Sequence, residues 1–163
     1  MTEADRSCVY CIDSSAIFDA WEDQPPDVFE SLWARLDELA QVGRLIAPEE
    51  VRQELAYPEA LKAWAAGAEF FAELDSEEEQ RAVTEVVDRF RSELRGLDIR
   101  LRPTDFKADP FVVALARVKG AVVVMHEKRN PDYGRPKMPN IADWYGIRTV
   151  RFLEFVREIG FKG

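Results

Sequence analysis

Residues Ala121-Val122-Val123-Val124-Met125 form an unbroken apolar run, rich in β-branched residues and without polar alternation. A strand with one solvated face alternates; one that never alternates is covered on both faces, as parallel strands are between layers of helices. The run is far shorter than the roughly 20 apolar residues that a membrane-crossing helix requires. It is therefore expected to be the buried centre of a folded domain, away from any membrane.

The flanking sequence alternates between strand and helix patterns. Cys8 to Ile12 is a second apolar run, followed by turn and cap chemistry at Asp13-Ser14-Ser15 and a helix through Trp21. Pro25-Pro26 breaks that helix, and Asp27 is placed to cap the next, whose Phe29, Leu32, Trp33, Leu36 and Leu39 recur at helical spacing until Gly43. Arg44 to Ala47 reads as a brief strand, and Pro48 suits the first turn of a helix running towards Tyr57. From Glu59 to Gly96 the pattern is helical, with a capping box at Ser76 and Glu79 and an apolar face of Val83, Val87, Phe90 and Leu94. The acidic run from Asp75 to Glu79 suits a helix start.

Asp109 is a good cap and Pro110 fits the first helical position; Val112, Val113, Leu115 and Ala116 then make that helix apolar nearly all round. Gly146 to Val150 reads as a last strand, and Phe152, Leu153, Phe155, Val156 and Ile159 give the closing helix its apolar face. Strands separated by helices predict one α/β domain over residues 1–163, a three-layer α/β/α sandwich with a mainly parallel sheet and a helical insertion at residues 59–96. A chain of 163 residues with 47% hydrophobic content suffices for one such core.

Several function classes are disfavoured. The charged start, Met1-Thr2-Glu3-Ala4-Asp5-Arg6, lacks the basic and apolar segments of a secretory signal, so a cytoplasmic protein is expected. Cys8 and Cys11 point to opposite faces of a strand, and with His126 the sole histidine they do not make a zinc site; buried thiols are expected. No phosphate-loop glycine motif is present, and Asp13-Ser14-Ser15 lacks the second Asp of haloacid-dehalogenase-type phosphotransferases. Trp21, Trp64 and Trp144 are either core residues or marks of an interface, such as that of a homodimer.

In open parallel sheets, ligands lie beyond the carboxyl ends of the strands. Asp13 follows the first strand, Glu127 follows the long buried one, and Asp109 begins the helix beside them. Glu54 shares a helix face with Glu50, beside the buried stripe of Val51 and Leu55. Each acid alone reads equally as a cap or a surface charge. Carboxylates that converge repel one another, and a cation relieves the repulsion. Mg²⁺ or Mn²⁺ suits an all-oxygen site that accepts phosphate oxygens, which points to phosphodiester hydrolysis.

The net charge of −9 opposes long-range attraction of nucleic acid. A local basic strip offsets it: Lys128, Arg129, Arg135 and Lys137 lie with Tyr133 in the loop after Glu127, either as RNA contacts or as solvated loop charges. His126 reads as a packed or surface imidazole, or as a general base.

Four blocks, in order, resemble the PIN-domain nucleases. Tyr10-Cys11-Ile12-Asp13-Ser14-Ser15 resembles the opening of that family, and Ile46-Ala47-Pro48-Glu49-Glu50-Val51-Arg52-Gln53-Glu54-Leu55 its second block. Ala108-Asp109-Pro110-Phe111-Val112-Val113-Ala114-Leu115-Ala116 resembles the third. Val122 to Glu127 corresponds to the last, departing from it at Met125 and Glu127, with Asp143 as the alternative acid. The resemblance is closest to a subgroup that shares the Trp33 helix, Gly43-Arg44-Leu45-Ile46-Ala47-Pro48 and Lys137-Met138-Pro139.

The resemblance implies that Asp13, Glu54 and Asp109 hold one metal, with Glu127 completing the site or supporting a second ion. Ser14 or Ser15 would hydrogen-bond a metal water or orient Asp13, or simply cap the helix. It implies a Mg²⁺- or Mn²⁺-dependent endoribonuclease, a toxin of the VapC type silenced by a cognate antitoxin protein. The rival expectations are another Mg²⁺-dependent phosphohydrolase and a non-catalytic PIN-like module that binds RNA or protein.

Overall fold

The computed structural model describes residues 7–94, 107–126 and 138–162. In chain order its elements are β1 (Tyr10–Ile12), α1 (Ser14–Asp23), α2 (Glu30–Gln41), β2 (Leu45–Pro48), α3 (Glu49–Glu54), α4 (Glu59–Gly67) and β3 (Phe71–Ala72). There follow α5 (Glu77–Leu94), α6 (Asp109–Lys119), β4 (Val122–Val124), α7 (Met138–Asp143), β5 (Thr149–Val150) and α8 (Phe152–Glu158).

The strands form one all-parallel sheet in the order β3-β2-β1-β4-β5. Tyr10 pairs with Leu45 on one side and Val122 on the other, so β1 and β4 lie inside the sheet. Residues Ala121 to Met125 are all buried, which explains why their sequence cannot alternate. The chain winds outward from β1 through β2 to β3, then returns to the other side of β1 at β4. The switch point, and the crevice it opens, is at the carboxyl ends of β1 and β4.

Alternation along β1 separates the two helical layers. Cys11 Sγ faces α6, where it meets the Val112 carbonyl at 3.7 Å. Tyr10 points the other way, edge-on to Phe155 of α8 with ring centroids 4.8 Å apart. With α6 against β1, β2 and β4 on one side and α8 on the other, the molecule is a three-layer α/β/α sandwich. Both thiols are free; Cys11 is buried and Cys8 half-buried. Among the described residues, no helix is long and apolar enough to cross a membrane.

Four local expectations are corrected. Asp27 does not cap α2, which begins at Glu30 after a turn, with Phe29 at the cap position and no side-chain cap. Asp109 is not a cap either: Ala108 holds that position, which places the Asp109 carboxylate inside the first turn of α6. The helical reading from Glu59 is interrupted by β3, since Phe71 and Ala72 add to the sheet edge through their pairing with Ala47 and Pro48. That pairing is non-local and leaves no periodicity in so short a segment. On α5 the buried residues are Ala82, Val86 and Phe90, with Val83 and Val87 half-buried, so the face is turned about one residue from the expected one. The capping box is as expected: Glu79 N donates to Ser76 Oγ at 3.1 Å and Ser76 N to Glu79 Oε1 at 3.3 Å.

The tryptophans are core residues rather than an exposed face. Trp33 meets Trp21 and Trp64 edge-on, with centroids 5.5 and 5.1 Å away, and its Nε1 donates to the Gln24 carbonyl at 2.7 Å. Trp144 lies half-buried beneath Arg89, whose guanidinium carbon is 5.3 Å from the ring centroid.

Candidate active site at the sheet switch point

Asp13 is the residue at which β1 becomes α1. Its backbone is extended and its N–H still donates to the Val124 carbonyl at 2.8 Å, so the strand ladder fixes its position. Its side chain turns back as the helix cap, accepting from Ser15 N at 3.4 Å and from Ser15 Oγ at 2.6 Å. Asp13 is only 2% exposed and Ser14 6%, an unusual depth for polar residues that a cap on the surface would not require.

Ser15 Oγ also accepts the His126 backbone N–H at 3.0 Å. The hydroxyl therefore ties the end of β4 to the Asp13 carboxylate across the switch point. The side chain of His126 leans outward, with Nδ1 3.3 Å from Asp19 Oδ2 and 3.2 Å from an Arg151 guanidinium nitrogen.

Glu54 is the last residue of α3, a six-residue helix held down by buried Val51 and Leu55. Glu54 Oε1 accepts the backbone N–H of Ala108 at 3.1 Å, so the glutamate supplies the cap that α6 lacks locally. Burial holds the Glu54 carboxyl above the ordinary carboxylate range, and the charge of Asp13 raises it further; the Ala108 N–H, Lys107 and the Ser14 hydroxyl act against that rise. Asp13, Ser14, Glu54 and the start of α6 thus share one site. Asp109, half-buried, is the first residue of that helix.

Lys107 has φ 47°, in the left-handed region that side chains with a Cβ rarely adopt. The conformation brings the chain into α6 with the Ala108 N–H directed at Glu54. Sequence reasoning missed both this lysine and the backbone donor that follows it. Only their adjacency to Asp109 pointed to them.

The remaining expectations divide. Asp143 is exposed at the end of α7. Glu127, Lys128, Arg129, Arg135 and Lys137 lie outside the described residues. Among the described residues, no three His, Cys, Asp or Glu side chains gather closely enough to hold a cation. What the described residues do provide is a pair of interacting acids, Asp13 and Glu54, beside the first turn of α6. Their all-oxygen donor chemistry and mutual repulsion fit a hard divalent cation.

The model of a family described as a domain of unknown function (DUF4411) matches residues 10–162. No curated protein matches the chain.

Proposed function

The chain belongs to the DUF4411 family, a domain of unknown function, and from the geometry of its own residues we propose that it is a metal-dependent nuclease of the PIN-like kind, hydrolysing phosphodiester bonds of RNA. The observation that carries the reading is the meeting of Asp13 and Glu54 at the switch point of a parallel sheet, each repelling the other's charge and both beside the helix that Asp109 begins. An acid whose protonation is disturbed by burial and by a neighbouring acid, set where open α/β sheets bind ligands, is the usual material of an active site.

Asp13 and Glu54 would anchor Mg²⁺ or Mn²⁺, and Asp109, in the adjoining first turn of α6, would close on the ion as it binds, with Glu127 as the fourth acid. When bound, the ion supplies charge neutralisation and Lewis-acid polarisation of the phosphodiester. The protein's part is positional. Ser15 holds the Asp13 carboxylate by its 2.6 Å hydrogen bond, and the Ala108 N–H holds Glu54. Lys107, whose charge reaches Glu54, offers a cation to the phosphate at the same edge. The reading extends to a cytoplasmic toxin whose cognate antitoxin covers this acidic cleft.

The test is Mg²⁺- and Mn²⁺-dependent cleavage of mixed RNAs by wild-type protein, Asp13→Asn and Asp109→Asn, with EDTA as control. Cleavage by the wild type that both substitutions abolish is expected. Activity that survives both would remove the site, and a wild type that binds the ion but cuts neither RNA nor DNA would favour a binding module.

A further inference from the structure

A groove of about 320 Å³ runs between the second half of α1 and the start of α8, lined by Asp19, Asp23, His126, Arg151, Glu154 and Arg157 among others. It is joined to the acid pair by a continuous series of contacts. An Arg151 guanidinium nitrogen is 3.2 Å from His126 Nδ1, the His126 backbone N–H donates to Ser15 Oγ, and Ser15 Oγ is 2.6 Å from Asp13 Oδ2.

The charges along the groove are unevenly engaged. Asp19 Oδ2 lies 3.3 Å from His126 Nδ1, and Glu154 Oε1 accepts the Arg151 backbone N–H at 3.4 Å as a helix cap. Arg151 and Arg157 are both exposed, and among the described residues neither guanidinium is ion-paired with a carboxylate. Asp23 stands at the end of α1.

We infer that this groove is a strand-binding subsite, in which Arg151 and Arg157 take backbone phosphates of a single nucleic-acid strand next to the phosphodiester held at Asp13 and Glu54. The inference rests on the nuclease reading of that site. A chain with a net charge of −9 gains no long-range attraction for a polyanion, so exposed guanidinium groups beside the acids must supply it locally. Arginine suits the task, since its planar fork pairs with phosphate oxygens while staying charged at any working pH.

The experiment measures binding of a fluorescent single-stranded RNA in EDTA, where cleavage is suppressed, across a series of salt concentrations. Wild type is compared with Arg151→Gln, Arg157→Gln and the control Arg35→Gln, which alters an exposed ion pair on α2. The Arg151 cap uses its backbone N–H, so neither substitution in the groove removes that contact; circular dichroism verifies folding. Each groove variant should reduce the slope of log K against log salt by about 0.7, the value for one phosphate contact to a single strand, while the control keeps the wild-type slope. Unchanged slopes in both groove variants of a wild type that binds and cleaves would overturn the subsite and leave the nuclease reading standing. Reduced slopes in a wild type that binds but never cleaves would support the subsite and remove the nuclease reading. Absence of strand binding by the wild type would overturn the subsite outright.

Discussion

Ser15 Oγ lies 2.6 Å from Asp13 Oδ2 while accepting the His126 backbone N–H at 3.0 Å, so one hydroxyl locks the proposed metal-binding carboxylate to the end of the neighbouring strand. Because a carboxylate oxygen only accepts, the hydroxyl hydrogen is directed at Asp13. Ser15→Ala removes that donor and the acceptor of the His126 N–H, while the backbone pairs of β1 and β4 from Tyr10–Val122 to Ile12–Val124 keep their own bonds. Because partners that orient a ligand contribute about 10- to 100-fold to metal affinity or activity, cleavage should fall by that order and require more Mn²⁺ for half-maximal rate. A variant with the wild-type Mn²⁺ dependence would show that Ser15 only caps α1.

The raised Glu54 carboxyl has a pH signature. Burial, then Asp13, favours its protonated form in the folded protein, so the folded pKa exceeds the unfolded one. The stability linked to that proton is complete below the unfolded pKa and is lost as pH rises through the folded value. In EDTA, the Tm of the wild type relative to Glu54→Gln should therefore decline as pH rises through the mildly acidic range. Glutamine keeps an acceptor for the Ala108 N–H but does not titrate. Parallel Tm curves for the two proteins would contradict the burial and Asp13 repulsion assigned to Glu54.

Ion binding should reverse that penalty. At a free Mn²⁺ concentration near a hundred times its Kd, the folded state gains about 2.7 kcal/mol, on the order of 5 to 10 °C in Tm for a chain of this size. Asp13→Asn should lose most of the gain in differential scanning calorimetry. An equal rise in wild type and variant would place the ion elsewhere.

Cys11 is fully buried against α6, and burial followed by the charge of Asp13 pushes its thiol far above the ordinary range. A thiol held protonated is a poor nucleophile. Native protein should be alkylated by iodoacetamide at half-buried Cys8 well before Cys11, with both modified once denatured. Mass spectrometry of the partly labelled protein checks the order.

Phe155 is completely buried between Tyr10, at 4.8 Å, and Phe152, at 5.8 Å. Phe155→Ala opens a cavity between α8 and β1 and should cost about 3 to 5 kcal/mol, read as a lower urea midpoint with an unchanged m-value. A loss below about 1 kcal/mol would mean that α8 contributes little to the core.

The sequence by itself determined the layers of this protein. The non-alternating run from Ala121 to Met125 required cover on both faces, and Asp13-Ser14-Ser15 marked the strand-to-helix turn, because periodicity and capping are properties of neighbouring residues. Asp13 and Glu54 were legible as separate acids for the same reason: each ends or lines an element whose pattern is local. That the two would meet was implied only by the family resemblance; tertiary structure alone decided that Glu54 rather than Asp109 caps α6 and that Ser15 bridges Asp13 to His126. It also decided that Phe71 and Ala72 join the sheet edge and that Arg151 approaches His126. Each of these relations joins segments far apart in the chain, and their geometry is set by strand order and helix packing, which leave no trace in the spacing of any one segment.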